Sequence, residues 1–482
     1  MTVPPQAPAA ATAGAISADR PPAAPKDHPH ALRTLALGSL GAFVVFLDTT
    51  IVNVAFESIS QSFHSNTDRL AWVLNAYSLV FAAALIPAGR LADRYGRKRL
   101  FLIGMSGFAV MSALCGLSPD AGVLIGGRAL QAAFAALITP TSLALILPEF
   151  PPERRPFAIG TWGSMSAIAA ATGPTIGALL TQYASWRWIF LINVPICAAV
   201  VFFGLRTLHE RRDPRAEGLP DPLGVLLIAA MPAAVSFSIV EGPRWGWSDG
   251  RVIGGFVLAA ALLPLFLLRS RVAVRPAIDL ALFHVREFRL VNVATLVFAA
   301  AFYGTLLSNI IFLQTVWHYS VLRSALANAP GPLVVAVVAR ISTRLAHRYG
   351  PRIVLAVGAL FYATALALYA TVTSVHPHWL THWLPIALLL GAGIGMTLPV
   401  QSSAAVAALP PERLGVGSAI NASFRQLGAV LGISLFVAVL GAPGPATVLD
   451  AYHHVWAMFA VFGAFSGLVV WLPRLGVRRS RG

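Results

Sequence analysis

Two ionisable residues of this chain lie where charge is expensive, inside long apolar segments. Asp48 interrupts the apolar run 34–56, and Arg128 lies in the first third of the run 122–148. A carboxylate at the centre of a membrane helix costs about 2.5–3.5 kcal/mol and is retained where it faces a polar pathway. Arginine stays charged and must find partners. An acid in such a pathway usually carries protons or meets a substrate, so Asp48 is a candidate proton-carrying group, and a nearby Arg128 would favour its ionised form. The alternatives are a structural carboxylate paired with a neighbouring helix and an arginine that extends to the membrane surface.

The composition indicates a membrane protein. Of the 482 residues, 57% are hydrophobic and 11% are charged, and the mean hydropathy is +0.73. Soluble domains carry about 25% charged residues. Apolar runs of about 20 residues, the length that crosses a bilayer, recur from residue 34 to residue 473. The predicted fold class is an all-α polytopic membrane protein.

Counting these runs predicts about fourteen transmembrane helices. Their approximate limits are 34–56, 71–91, 99–118, 122–148, 157–181, 187–206, 222–241, 251–269, 289–314, 325–346, 352–372, 383–404, 415–441 and 452–473. Residues 1–32 are rich in Ala and Pro and lack apolar periodicity, which predicts a disordered cytoplasmic tail. Residues 474–482 form a basic cytoplasmic tail.

The net charge of +16 follows membrane topology and does not indicate a nucleic-acid surface. Basic residues concentrate in alternate loops and the C-terminal tail, at 94–99, 154–155, 206–215, 269–275, 340–352 and 474–481. This positive-inside pattern predicts that both termini are cytoplasmic in a cell (inner) membrane. The lipid bilayer is therefore an expected partner and nucleic acid is not.

Two sequence markers recur in the same order and indicate an internal duplication. The string GRLADRYGRK at 89–98 is repeated as TRLAHRYGPR at 343–352, and LPEFPPER at 147–154 is repeated as LPPER at 409–413. Duplicated halves around a central site are a transporter architecture. We predict six-helix halves at 33–207 and 287–473, separated by a two-helix insert with flanking loops at 208–286.

Five motifs in order resemble the major facilitator superfamily, and in particular its fourteen-helix drug:proton antiporter family (EmrB/QacA type). They are LDTTIVNVA at 47–55, GRLADRYGRK at 89–98, RALQA at 128–132, GPTIG at 173–177 and WRWIFLINVP at 186–195. The resemblance covers essentially the whole chain after the tail. It implies the major facilitator fold and the proton-coupled export of hydrophobic or amphipathic small molecules by alternating access.

The resemblance also indicates gating residues in two places, the loop at 89–98 and the motif at 173–177. Gly89 should allow a close helix approach, Gly96 a tight reversal, and Asp93 should pair with a helix end or an arginine across the two halves. Pro174 should kink its helix. The complete predicted gating set is Gly89, Asp93, Arg94, Gly96, Arg97, Gly173, Pro174 and Gly177.

Several polar residues inside the predicted spans are candidates for substrate binding. Each is individually more typical of helix–helix hydrogen bonding than of ligand contact. They are Asn53, Asn75, Tyr77, Tyr303, Asn309, Gln314, Gln401 and Arg425.

No spacing of His or Cys indicates a metal site, and no phosphate-binding loop indicates ATP. We therefore expect no metal and no cofactor, with the proton gradient as the energy source, and we find no catalytic set of an enzyme. The expected partners are protons and a small-molecule substrate; the substrate's identity, the oligomeric state and any periplasmic adaptor stay open. The alternatives are a proton symporter for uptake and, of a different class, a membrane scaffold or sensor.

Overall fold

The computed structural model describes residues 30–65, 67–151, 154–212, 220–410 and 413–471. Within these ranges the chain is helical and contains no strand, as the predicted fold class requires. Its helices are α1 (Ala31–Phe63), α2 (Thr67–Tyr95), α3 (Arg97–Gly116), α4 (Ala121–Ile146), α5 (Arg155–Tyr183), α6 (Trp188–Leu191), α7 (Asn193–Thr207), α8 (Pro222–Trp245), α9 (Gly250–Val272), α10 (Arg286–Thr315), α11 (Val321–Asn328), α12 (Pro330–Tyr349), α13 (Pro351–Val372), α14 (Leu384–Ala407), α15 (Leu414–Leu440) and α16 (Val448–Trp471).

The predicted tails lie mostly outside the described residues, as do the loop residues 213–219. At the N-terminus the prediction needs one correction, because residues 31 and 32 already belong to α1 and not to a tail. Thirteen stretches of the described chain are long and apolar enough to cross a membrane. The span predicted at 157–181 is not among them, yet α5 is a 29-residue helix there and packs along α1.

Three spans predicted as single helices are built from two pieces. The span at 187–206 divides into α6 and α7, and the one at 325–346 divides into α11 and α12. The span at 383–404 is extended at its start by a π-helical turn, Trp379–Trp383. Pro330 begins α12, where its missing N–H costs nothing at a first turn but would break a continuous helix. Hydropathy alone does not detect such breaks.

The helices pack as two groups joined by an insert. The first helix group is α1–α7 and the second is α10–α16, while α8 packs against α2 of the first and α15 of the second. Asn75 Nδ2 donates hydrogen bonds to Ser236 Oγ (3.2 Å) and Ser434 Oγ (3.0 Å), which ties α2, α8 and α15 together. The sequence boundaries given above for the two halves stay a prediction.

The two groups are in close contact at one end of the bundle. We call the end where α2 turns into α3 the basic end, and the other the opposite end. At the opposite end Val54, Ala178, Ile310 and Ala325 form one apolar cluster from both groups. The backbone N–H of Leu322 donates to Gln182 Oε1 at 3.0 Å, which adds a polar contact there.

At the basic end the same face of α5 is uncovered. Gly160 precedes Ala178 by about five helical turns and therefore shares its face. A Cβ added to Gly160 would meet no atom within 4 Å. Ala178 packs against the second group and Gly160 does not, so the two groups separate along α5 toward the basic end. The helices α2 and α15 stay in contact, because Ser423 Oγ donates a hydrogen bond of 2.9 Å to the Ala82 carbonyl.

Candidate functional site: a buried ion pair

Asp48 lies near the middle of α1, and its side chain is 0% exposed. Its Oδ2 accepts a hydrogen bond from Arg128 Nη1 at 2.5 Å. Its Oδ1 accepts from Gln131 Nε2 and from Asn193 Nδ2, both at 3.1 Å. Three donors from α4 and α7 therefore satisfy this carboxylate, which stabilises its charged form away from water.

Arg128 is held as tightly as the acid it pairs with. Its side chain is 1% exposed; Nη1 also donates to Gln131 Oε1 at 2.7 Å, and Nε donates to the Val73 carbonyl at 3.4 Å. The guanidinium lies 4.0 Å from the centre of the Tyr77 ring, a cation–π contact. The arginine is thus paired inside the bundle and does not extend to the membrane surface, and its role in proton coupling stays a prediction.

Three residues of this network were not among the predicted site residues. Gln131 and Asn193 bond to Asp48 directly, and both bond to Ser112 Oγ, at 3.1 and 3.0 Å. Ser112 in turn donates to the Phe190 carbonyl at 2.8 Å. Gln131 could have been found, because it follows Arg128 by three positions and so shares its helix face; Ser112 is an ordinary serine in an apolar helix and carries no such signal.

The network makes the protonation of Asp48 sensitive to its neighbours. Leaving one member of a buried ion pair unpaired costs about 3–5 kcal/mol. If Arg128 moved away from Asp48, protonation of the carboxylate would remove that cost. The arrangement can therefore exchange a proton in response to a shift of α4 against α1.

Two of the predicted gating glycines form the contact between α5 and the helix that carries Asp48. A Cβ on Gly177 would lie 2.6 Å from Ile51 Cγ1 and 2.9 Å from the Ile51 carbonyl oxygen, and a Cβ on Gly173 would collide with Thr50 Oγ1. Pro174 lies between them inside α5. The small residues allow α5 to lie directly on α1 beside Asp48.

The remaining gating residues lie in the loop at the basic end. Asp93 Oδ1 accepts from Arg97 Nε and Nη2 at 3.0 and 2.9 Å, so in this structure its partner belongs to the same loop and not to the second helix group. The Arg94 guanidinium lies 5.4 Å from the ring of its neighbour Tyr95. The expected close helix approach at Gly89 is wrong for this structure, because a Cβ there would lie 4.0 Å from Pro140 Cβ and would fit.

Gly96 turns the chain with φ at +115°, a conformation that other residues rarely adopt. The carboxylate that caps the following helix is Glu210, which accepts from the backbone N–H groups of Lys98 and Arg99 at 3.1 Å each. A Cβ on Gly96 would lie 2.5 Å from that carboxylate. Glu210 was not predicted, since it follows span 6 with no motif around it.

Four of the eight predicted substrate-binding residues are occupied by contacts within the protein. Asn53 Nδ2 donates to carbonyls of its own helix, and Asn309 Oδ1 accepts from Trp456 Nε1 at 2.9 Å. Gln314 Nε2 donates to the Val54 carbonyl at 3.3 Å, which links the two groups at the opposite end. Asn75, as described above, ties α2 to α8 and α15. These four residues act as structural contacts in this conformation.

The other four candidates are less fully satisfied. Tyr77 and Gln401 are buried, and neither Tyr77 Oη nor Gln401 Oε1 has a hydrogen-bond partner among the described residues. Tyr303 and Arg425 are partly buried. The Tyr303 phenol lies within electrostatic range of the Arg425 guanidinium and of Tyr77. Tyr77 also contacts Arg128, so Tyr77, Tyr303 and Arg425 lead from the ion pair toward the second helix group.

Comparison with known proteins agrees with this architecture. A family profile described as "Major Facilitator Superfamily" matches residues 38–433. The "Tetracenomycin C resistance and export protein" of Streptomyces glaucescens is 34% identical over 427 residues, which cover 88% of this chain and 78% of the relative. The "Multidrug resistance protein Stp" of Mycobacterium tuberculosis is 36% identical over 414 residues, 85% of this chain and 76% of the relative.

A solved structure supports the fold independently. The chain resembles the crystal structure of an auto-inhibited peptide transporter of the POT family with a TM-score of 0.67 at 15% sequence identity. The match covers 93% of this chain and 99% of that protein. At this identity the likeness bears on the fold alone.

Proposed function

The chain belongs to the Major Facilitator Superfamily and is a membrane transporter, not an enzyme; on that premise we propose that it exports hydrophobic or amphipathic small molecules, drugs or metabolites, in exchange for protons. The observation that carries this proposal is the completely buried Asp48–Arg128 ion pair, which lies inside the first of two helix groups that would rock against each other. The names of the relatives, export and multidrug resistance, support the direction of transport and the class of substrate.

The coupling cycle follows from the partners of Asp48. In the conformation described, Arg128, Gln131 and Asn193 hold the carboxylate in its charged form. A local shift within the first group that separates α4 from α1, coupled to the rocking of the two groups, would strand the charge, and proton uptake would relieve it. Protonation and substrate occupancy would then favour different conformations, which is the thermodynamic condition for coupled exchange.

Alternating access follows from the two ends of the bundle. With the basic loops facing the cytoplasm, as the positive-inside pattern favours, the contact of Val54 and Ala178 with the second group closes the outer side. The uncovered face at Gly160 then opens inward. The conformation would be one that receives substrate from the cytoplasm, with both termini cytoplasmic.

The α8–α9 insert supports assignment to the fourteen-helix drug:proton antiporter type. It lies between the two groups in sequence, and α8 packs against both in space. The same proposal includes proton exchange, the absence of any cofactor and a location in the cytoplasmic membrane.

Transport in everted membrane vesicles tests the proposal. Vesicles are energised with a proton gradient, and accumulation of the fluorescent compounds ethidium and Hoechst 33342 and of a neutral anthraquinone is measured. We expect uphill accumulation by the wild type that collapses with a protonophore and is lost in Asp48→Asn, while downhill exchange survives. Glu57→Gln is the matched control, because Glu57 lies on the same helix and its recorded hydrogen bond is with Gln61.

Two results would contradict the proposal. Undiminished uphill transport by Asp48→Asn with unchanged pH dependence would show that the carboxylate is structural. Proton-driven movement of substrate out of the acidic vesicle lumen, in the same direction as the protons, would instead identify a symporter for uptake.

A further inference from the structure

Arg425 is a charged side chain in an apolar helix. It lies twelve positions into α15 (Leu414–Leu440) and is partly buried. In the described part of the chain it takes part in no hydrogen bond or ion pair; its recorded interaction is the electrostatic one with the Tyr303 phenol. Arg128, by contrast, is fully paired with Asp48. A cation at this depth costs about 2.5–3.5 kcal/mol and marks a function by default.

The position of Arg425 on α15 directs it toward the space between the two helix groups. It shares a helix face with Ala422, three positions before it, and with Gly428, three positions after it. Ala422 packs against the core of the first group, and a Cβ on Gly428 would lie 2.7 Å from Ala299 Cβ of α10. The neighbouring Phe424 instead packs with Phe283 at 5.8 Å between ring centres, against a cluster that includes residues of α2 and of the insert. Arg425 thus lies between the α10 contact and the first group, not on the outer surface.

The groups around this position extend to the proton-coupling pair. Tyr303 lies within electrostatic range of Tyr77, and the Tyr77 ring lies 4.0 Å from the Arg128 guanidinium. Tyr77 Oη is buried and has no partner among the described residues. Because Asp48 neutralises Arg128, Arg425 leaves the region between the groups with one positive charge that no acid of the described ranges pairs with.

We propose that Arg425 binds an anionic oxygen of the transported compound, so that the preferred substrates are hydrophobic organic acids: carboxylates, sulfonates or ionised phenols. A guanidinium presents a planar fork of donors that matches such oxygens. The Tyr303 phenol supplies an aromatic surface and a hydroxyl beside it. This inference rests on the proposed export function and specifies, in addition, that the exported compound carries a negative charge.

Binding of a matched pair of probes to the purified, detergent-solubilised protein tests the inference. The pair is 9-anthracenecarboxylate and its methyl ester, which share the ring system and differ in charge, and binding is followed by quenching of tryptophan fluorescence. We expect the wild type to bind the carboxylate about tenfold or more tightly than the ester, the factor that a charge-assisted hydrogen bond provides. Arg425→Gln should remove this preference, and Arg425→Lys should restore part of it.

Arg413→Gln is the control for a general loss of positive charge. Arg413 lies at the start of the same helix and pairs with Asp279, so its removal should leave the preference intact. Equal binding of both probes by the wild type, or equal weakening of both in Arg425→Gln, would overturn the inference.

The same proteins in everted vesicles separate the two proposals. A carboxylate preference that depends on Arg425 without proton-driven accumulation would support the binding site and contradict the export function. Proton-driven export of neutral and anionic probes at equal rates, unchanged by Arg425→Gln, would support export and contradict the anion site.

Discussion

The two helix groups have the same glycine packing but different interiors. In the first group Gly173 and Gly177 place α5 directly on α1, and in the second Gly428 and Gly432 place α15 directly on α10. Each pair is spaced by four residues, one helical turn, so both members lie on one face. Each group therefore contains two helices whose backbones meet with no side chain between the helices. The residues that line the interior of each group can differ without changing this contact.

The difference appears beside these contacts. α1 contributes Asp48, with its ion pair to Arg128. α10 contributes Phe298, whose ring lies 4.9 Å from that of Tyr362, and Thr305, whose hydroxyl is 3.0 Å from Tyr362 Oη. One interior holds a group that titrates and the other holds neutral aromatics, with Arg425 as its unbalanced charge. If the two proposals hold, proton coupling belongs to the first group, and the second group supplies the charge that recognises the substrate.

The largest expected effect is on stability and follows from a substitution that breaks the ion pair. Arg128→Met leaves the Asp48 carboxylate buried without its cation, and we expect the free energy of unfolding to fall by about 3–5 kcal/mol. The double variant Asp48→Asn/Arg128→Met should recover most of this loss, because no charge is then stranded. Chemical denaturation in detergent micelles measures both.

The corresponding change in the second group is Tyr362→Phe. It removes one hydroxyl from the contact with Thr305 and should cost about 1 kcal/mol. If Tyr362→Phe proved as costly as Arg128→Met, the contrast between a charged and a neutral interior would not hold.

The next effect concerns the shared glycine contacts. A Cβ on Gly177 would meet the Ile51 carbonyl oxygen at 2.9 Å, and one on Gly432 would meet the backbone of Ala300, with Cα at 2.9 Å. Since backbone atoms yield less easily than side chains, we expect Gly177→Ala and Gly432→Ala each to cost about 1–3 kcal/mol. Thermal unfolding followed by circular dichroism measures the loss.

Gly160→Ala is the control, because no atom lies within 4 Å of the added methyl group. Because Ala favours a helix more than Gly does, equal destabilisation by all three variants would mean that lipid contact, not close packing, decides the cost. A loss confined to Gly177→Ala would show that the two contacts are not equivalent.

The sequence predicted the helical membrane fold because apolar length and composition determine it. It also identified Asp48 and Arg128, since each is a charge in an apolar run that lipid would penalise. Their contact, however, depends on how α1 and α4 pack, and only the resemblance to a known family indicated that they meet.

The residues that were missed share a physical cause. Ser112 and Asn193 come from α3 and α7, and Glu210 follows α7; each becomes important only through tertiary packing. The expectation for Gly89 failed for the converse reason. Glycine in a membrane helix permits close packing but does not require it, and here Pro140 lies 4.0 Å from the position of a Cβ.

A moderate effect is expected in the loops at the basic end, which also occur in two copies. Gly96 and Gly350 both have positive φ, +115° and +88°. A Cβ on Gly96 would meet the Glu210 carboxylate, whereas one on Gly350 would meet no atom within 4 Å. Gly96→Ala should therefore cost about 1 kcal/mol more than Gly350→Ala, the contribution of a helix cap.

Transport kinetics show whether this loop acts as a gate. We expect Gly96→Ala, and Asp93→Asn in the same loop, to lower turnover while substrate affinity in detergent stays nearly unchanged, because they act on the conformational equilibrium. Collapse of affinity with normal turnover per bound substrate would contradict a gating role and would place the loop in the binding site.

The smallest expected effect lies in the insert, outside both groups. Asp221 precedes α8; its Oδ2 accepts from the Gly224 backbone N–H at 2.8 Å, and its carboxylate pairs with Arg269 at the end of α9. The hydrogen bonds from Arg269 lower the pKa of Asp221 from its usual value. A carboxylate whose pKa is lowered in the folded state stabilises that state above its unfolded pKa of about 3.9, and the contribution is lost as the pH falls through the folded value.

Asp221→Asn should therefore lower the melting temperature slightly at pH 7, and the difference from the wild type should vanish in acid, while proton-driven transport and its pH dependence stay as in the wild type. A changed transport pH profile in Asp221→Asn would show that the insert takes part in coupling, and the contrast between the two groups would then have to include α8.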